Sequence, residues 1–187
     1  MAPKKRVVNR RADVDVPAEG LRLWAPWRYA YLRSLLSDPK ACIFCFGILS
    51  DAERRERLVL FDNRDVLVML NKYPYSNGHI MVAPRSHVAS LELLTRTDRS
   101  ILIEAVSASI KLMRENLHPQ AFNVGANLGS AAGAGFAEHM HWHIVPRWTG
   151  DNNFMSVLAS TRVLSQSLED SYEQLRPIFK NLGAELS

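Results

Sequence analysis

The sequence predicts an α+β domain on a mostly antiparallel sheet, and three observations carry that expectation. Apolar runs of strand length come as a pair joined by turn residues, one long stretch has helical periodicity, and strand-like runs resume after it. With 187 residues the chain is long enough for one domain with its own core, so bare stability requires neither a disulfide nor a metal scaffold. A hydrophobic share of 47% beside 22% charged residues excludes a disordered, collagen-like or low-complexity chain. The longest apolar runs, such as Val66 to Leu70, fall far short of the roughly 18 to 20 residues that a membrane-spanning helix needs.

Residues 1–20 are polar, charged and without period, and are expected to form a flexible basic arm ahead of a single domain over 21–187. Five of the 23 Lys and Arg residues sit in that arm, at Lys4, Lys5, Arg6, Arg10 and Arg11. The other 18 face 16 acidic residues over 21–187, a near-even balance of about +2 that points to no strongly basic face for nucleic acid. No apolar stretch follows the early charges as in a secretory signal, and Asp13, Asp15 and Glu19 are out of place in a transit peptide. The expected compartment is therefore the cytoplasm.

Order is expected from Leu21. After Pro26, which suits a first helical turn, Tyr29, Leu32, Leu35 and Leu36 recur at helical spacing. Apolar runs at Leu58 to Phe61 and Val66 to Leu70, joined by Asp62-Asn63-Arg64-Asp65, read as a β-hairpin. Tyr73 to Gly78 is turn chemistry, and the strand His79 to Ala83 is stopped by Pro84. From Asp98 to Asn116, Ile101, Leu102, Ala105, Val106, Ile110 and Met113 form one helical stripe. A strand over Ala121 to Asn127, a small-residue loop from Gly129 to Gly135 and a strand over Met140 to Val145 closed by Pro146 follow. An amphipathic helix from Ser165 to Phe179, capped beyond Asn181 by Gly183, lies within a helical segment over about 160–187. No internal repeat of fixed period is present.

The stretch His139-Met-His141-Trp-His143-Ile-Val places half of the six histidines at period two. On a strand this spacing sets three imidazoles on one face and Met140, Trp142 and Ile144 on the other. A lone histidine would read as a hydrogen-bonded strand residue, but three titratable rings gathered on one face are costly to packing and point to function. Two chemistries want the arrangement: three imidazoles holding Zn²⁺ with an open position, or one nucleophilic imidazole whose neighbours fix its tautomer and bind an oxyanion. The small residues Gly129 to Gly135 just upstream let backbone N–H groups approach an anion, which favours a phosphate ligand.

These residues resemble the signature of the histidine triad (HIT) superfamily of nucleotidyl hydrolases and transferases. Leu70 through His87, with Asn71, Gly78-His79 and a distal histidine, is similar to the same family. Leu23-Trp-Ala-Pro-Trp-Arg, the Ala-Gly-Ala-Gly loop and Val145 to Phe154 resemble the bacterial branch that includes diadenosine tetraphosphate phosphorylases. The resemblance covers about residues 22–155. It implies a half-barrel of mostly antiparallel strands with one long helix and flanking helices. It also implies a covalent nucleotidyl-histidine on His141, with His143 on the phosphate or leaving oxygen and His139 completing the triad. Asn71 would bond the ribose and apolar residues near Leu70 would pack on the base. Asn127 and the N–H groups around Gly133 and Gly135 would brace the phosphate, and Trp148 would stack a second nucleoside or line the rim. Gly135-Phe136-Ala137 stands where the family often has Gln or Ser, which leaves phosphate contacts to the backbone.

Cys42-Ile-Phe-Cys45 holds both cysteines. Without a βαβ context a thioredoxin-like pair is disfavoured, which leaves half of a zinc site or two buried thiols. The resemblance implies that His87 and His139 complete a structural Zn²⁺ site, that His79 supports the site through a hydrogen bond, and that the chain is a homodimer through the Asp98 to Asn116 helix and the strand from Ala121. His118 is expected at the surface, and the Trp24 and Trp27 segment could extend a dimer to a tetramer. The expected partners are adenine nucleotides, with inorganic phosphate as a second substrate. The activity implied is cleavage of dinucleoside polyphosphates, the alternatives being hydrolysis of adenylate phosphoramidates or sulfate-linked adenylates, or a zinc-stabilised nucleotide-binding module.

Overall fold

The structure, a computed structural model, describes residues 42–151 and 164–186. The arm, the helix expected after Pro26 and the Trp24 and Trp27 segment lie outside the described residues. The described chain runs α1 (Asp51–Glu56), β1 (Val59–Asp62), β2 (Val66–Leu70), β3 (Ile80–Pro84), α2 (Arg96–Leu117), β4 (Ala121–Ala126), β5 (Trp142–Arg147), α3 (Leu168–Phe179) and α4 (Leu182–Glu185). The strands form one open antiparallel sheet in the order β1-β2-β3-β5-β4. The expected α+β class is what the chain adopts.

Local chemistry sets the boundaries. α2 begins ahead of Asp98 because the Thr95 side chain accepts the Asp98 N–H at 3.1 Å, and it ends at His118, left-handed with φ of 50° and exposed, before Pro119. α1 is absent from the sequence expectation, yet Ser50 and Glu53 form a reciprocal capping box at its start. α3 starts only at Leu168 because Ser167 caps it. The expected Gly183 cap is corrected: Gly183 lies inside α4, and a β-carbon there would sit 3.6 Å from the Phe61 ring. That distance is ordinary contact, and Gly183 makes no left-handed turn.

The strand expected over Met140 to Val145 is also corrected, since β5 runs from Trp142 to Arg147. At its start the Met140 N–H donates at 2.7 Å to the Val88 carbonyl, which draws the chain off the β3 ladder. At its end Pro146 lies inside the strand. The Arg147 carbonyl accepts the Gln120 N–H at 2.9 Å, so odd-numbered residues of β5 turn their backbone groups to β4. Pro146 faces the β3 side, where pairing has already ended at Ile80↔Ile144, and its missing N–H breaks no bond.

Period two divides the sheet. Val66, Val68, Leu70, Ile80, Val82 and Ile144 pack with Leu102, Met113, Tyr172, Leu175 and Phe179 of α2 and α3 in the main core. Val59, Leu67, Met69, Met81 and Ala83 face the other way, under Phe44 and Leu49 of the N-terminal segment. In the ladder Met69 is opposite Met81, Met81 opposite His143, and His143 opposite Gly125, so the histidine face is apolar towards β1 and polar towards β4. No helix among the described residues is long and apolar enough to cross a membrane.

Candidate active site and metal centre

A neutral imidazole carries one N–H and one lone pair, so a partner on one nitrogen assigns the other. His141 is 5% exposed, and its Nδ1 lies 3.0 Å from the His139 carbonyl oxygen, which can only accept. Nδ1 therefore carries the proton and Nε2 presents a lone pair. Burial holds the His141 pKa below its usual value, against the opposing pull of that carbonyl, so the ring is neutral at pH 7.

His143 is assigned through a longer chain. The Tyr75 backbone N–H donates to His79 Nδ1 at 3.1 Å, so His79 carries its proton on Nε2 and donates it to His143 Nδ1 at 3.0 Å. His143 then keeps its own proton on Nε2, as a hydrogen-bond donor. His79 is fully buried and pushed down to about 3, chiefly by desolvation and then by the neighbouring His143 and His141. The His141 and His143 ring centres are 4.9 Å apart at 70°. One neutral lone pair stands beside one N–H donor.

His139 turns elsewhere. Its Nε2 donates to the Pro84 carbonyl at 2.9 Å, which leaves the Nδ1 lone pair 3.4 Å from Cys42 Sγ and 3.5 Å from Cys45 Sγ. His87 Nδ1 lies 3.3 Å from Cys45 Sγ. The four donor atoms of Cys42, Cys45, His87 and His139 all lie within 4.8 Å of one another. Burial pushes the Cys42 thiol up to about 11, so a thiolate there calls for a cation. Two sulfurs and two imidazole nitrogens, one of them oriented by a backbone carbonyl, form a donor set that fits a closed tetrahedral ion. The three triad rings do not converge on one point: His139 faces the cysteines while His141 is bonded to a carbonyl, so a three-histidine metal site is not what these residues build.

Phe44, between the two cysteines and 1% exposed, places its ring 5.1 Å from His139 and 4.8 Å from His141. Cys-x-x-Cys spacing alone does not reveal that placement. Tyr75 was likewise passed over, although its N–H begins the proton chain and its ring lies 4.8 Å from His79. The Tyr-Pro-Tyr-Ser-Asn-Gly turn was the available signal.

The remaining residues divide. Asn71 lies just beyond β2, its N–H on the His79 carbonyl and its Oδ1 accepting from the Tyr73 N–H at 2.8 Å, so its amide is oriented. Continuing the β4–β5 register one residue sets half-buried Asn127 across from His141. Leu70 is corrected: it faces the main core, 1% exposed, whereas Met69 lies on the opposite face with Phe44 and Met81, and Met81 is the apolar residue directly opposite His143. In the loop Ser130–Ala132 forms a short 3-10 turn between Gly129 and Gly133, whose φ values of 83° and 86° only glycine adopts readily. The Gly133 N–H donates to the Ser130 carbonyl at 2.9 Å within that turn, whereas Gly135 lies outside it. Trp148 lines a hollow with Tyr75, Asn77 and Gln174 beside the site, and no triad ring lines that hollow.

The HIT domain family model matches residues 52–150, which contain the triad, the Asn71 turn and the glycine loop. The chain belongs to the HIT domain family. A relative named AP-4-A phosphorylase from Mycobacterium tuberculosis (strain CDC 1551 / Oshkosh) is 37% identical over 155 residues, 80% of each chain. By that kinship this is a HIT-family enzyme. A hypothetical histidine triad nucleotide-binding protein from Sulfolobus tokodaii strain7 shares the fold with a TM-score of 0.58 at 24% identity, over 78% of this chain and 93% of that one. A Zn-bound histidine triad family protein from Mycobacterium smegmatis does so with a TM-score of 0.52 at 23% identity, over 83% and 95%.

Buried neutral histidines make this HIT domain sensitive to acid. Above its ordinary pKa of 6.5, His79 is neutral in both the folded and unfolded chain. As pH falls below 6.5 the unfolded chain takes a proton that the folded protein refuses until about pH 3, so stability is lost through that window. The expected slope from this residue approaches ~1.4 kcal/mol per pH unit. Denaturant unfolding at pH 7, 6 and 5 measures it, and His79→Asn should flatten the slope. An identical slope in the variant would show that His79 is not held neutral.

Proposed function

We propose that this enzyme cleaves dinucleoside polyphosphates, diadenosine tetraphosphate above all, through a nucleotidyl group carried on His141. The observation that carries the reading is that His141 presents an Nε2 lone pair and His143 an Nε2–H on rings 4.9 Å apart, each assigned by a hydrogen bond on the far side of its ring. The M. tuberculosis relative named AP-4-A phosphorylase supports the choice of substrate.

His141 Nε2 attacks the α-phosphorus in line, and the bond from that phosphorus to its bridging oxygen breaks. ATP leaves from diadenosine tetraphosphate, and AMP stays on the ring. The positive charge that forms on the imidazole is drawn to Nδ1–H, where the His139 carbonyl accepts it. His143 donates its N–H to the oxygen on which negative charge grows, with Asn127 and the backbone near Gly135 beside it. An oxygen of inorganic phosphate then attacks the same phosphorus, ADP departs and His141 regains its lone pair. Asn71 holds the ribose, and the base packs at the rim of the apolar cluster that Phe44, Met69 and Met81 form.

Cys42, Cys45, His87 and His139 would hold a structural Zn²⁺ that ties the N-terminal segment to the sheet. β4 is the open edge of the sheet, with Val124 40% exposed, and Ile103 of α2 is 44% exposed. A homodimer that covers this edge through α2 and β4 satisfies the physical demand.

Four outcomes follow from this reading of the site. Supplied with diadenosine tetraphosphate, the protein should form ATP and ADP only when inorganic phosphate is present; nucleotide release at the same rate without phosphate would make it a hydrolase. His141→Ala should abolish the covalent adduct and lower turnover by several orders of magnitude, His143→Ala by roughly a hundred- to thousandfold, and His139→Ala should act chiefly through stability. Equal adduct on His141→Ala and wild type would overturn the assignment. Protein purified without chelator should contain about one zinc per chain and lose it on Cys42→Ser; unchanged metal content would leave the cysteines as free thiols outside any metal site. Sedimentation should give twice the chain mass, and a monomer at every concentration would remove the dimer.

A further inference from the structure

Gly125 stands in the middle of β4, directly opposite His143. Directly opposed residues of an antiparallel pair project to the same face, so a side chain at 125 would stand beside the His143 ring. Glycine inside a strand weakens it, and a backbone or packing reason is normally visible. Neither exists here. The backbone at Gly125 is outside the positive-φ region, and among the described residues nothing lies within 4 Å of where a β-carbon would be.

The two flanks of the histidine pair differ. Towards β1 the same row continues as Met81, Met69 and Val59, with 7%, 8% and 0% exposure, closed over by the segment that carries Phe44. Towards β4 the row is Gly125 with exposed Asn123 two residues back, and β4 is the last strand of the chain's own sheet. With the β1 side closed over, the open side of the His143 ring within this row is the one towards β4. The gap at Gly125 lies on that side.

We infer that Gly125 is the specificity-determining position of this enzyme: its missing side chain admits the distal polyphosphate and second nucleoside, and so favours long substrates over those with a small leaving group. The inference rests on the proposed reading of the site. Gly125→Ala and Gly125→Val test it. Because strand φ suits a β-carbon, the Ala variant should unfold at a temperature no lower than wild type. Overpacking a path that the substrate occupies should lower kcat/KM for diadenosine tetraphosphate by roughly tenfold in Gly125→Ala and a hundredfold in Gly125→Val. On adenosine 5′-phosphoramidate, whose leaving group is ammonia, the fall should be no more than a few-fold. Equal losses on both substrates, or none on either, would overturn the inference. Should wild type prove inactive on diadenosine tetraphosphate, the proposed function fails by itself, and a phosphoramidate with a bulky aromatic amine replaces the long substrate: a selective loss on it supports the gap, and a uniform response overturns it. Activity on none of these substrates overturns both.

Discussion

The donation from His141 Nδ1 to the carbonyl two residues earlier is the bond on which this site depends. It assigns the tautomer and aims the lone pair, and in the proposed reaction it would hold the proton that grows more acidic as Nε2 bonds phosphorus. That geometry requires the chain at His139 to Met140 to stand off the sheet, which it does because Val88 takes the Met140 N–H. The same departure turns His139 towards the cysteines. His141 and the Cys-His cluster thus share one kink, and Phe44 lies against both the His139 and His141 rings.

Much of the site is legible from spacing. Alternation of histidines names a strand face, and Cys-x-x-Cys names a ligand pair, because both patterns depend only on local geometry. The length of α2 and the β1–β2 hairpin follow from periodicity and turn residues in the same way. The Ser50 and Glu53 capping box was equally local and simply passed over.

What sequence reasoning missed depends on contacts between distant segments. Parity along β2 says that Met69 and Leu70 face opposite ways, but only the position of α2 says which of them is core. The start of β5 depends on Val88, 52 residues before Met140, and no periodicity records that bond. Gly183 looks like a cap, but a short helix from Leu182 to Glu185 runs through it. The roles of the two nitrogens in each ring are likewise invisible in a one-letter string, since they follow from which backbone groups the fold brings to each edge.

The end of β3 has a consequence for how the chain can vary. Pairing of β3 with β5 stops at Val82↔Trp142, and a continued ladder would have bonded the Pro84 carbonyl to the Met140 N–H. An imidazole N–H from His139 takes that rung at 2.9 Å, and the displaced amide bonds Val88 at 2.7 Å. The loop from Pro84 to Val88 is thereby measured at both ends, by one carbonyl that holds a side chain and another that holds the backbone beside it. Surface loops ordinarily absorb insertions and deletions. This one should not, because a residue gained or lost between those carbonyls would put one of the two rungs out of register.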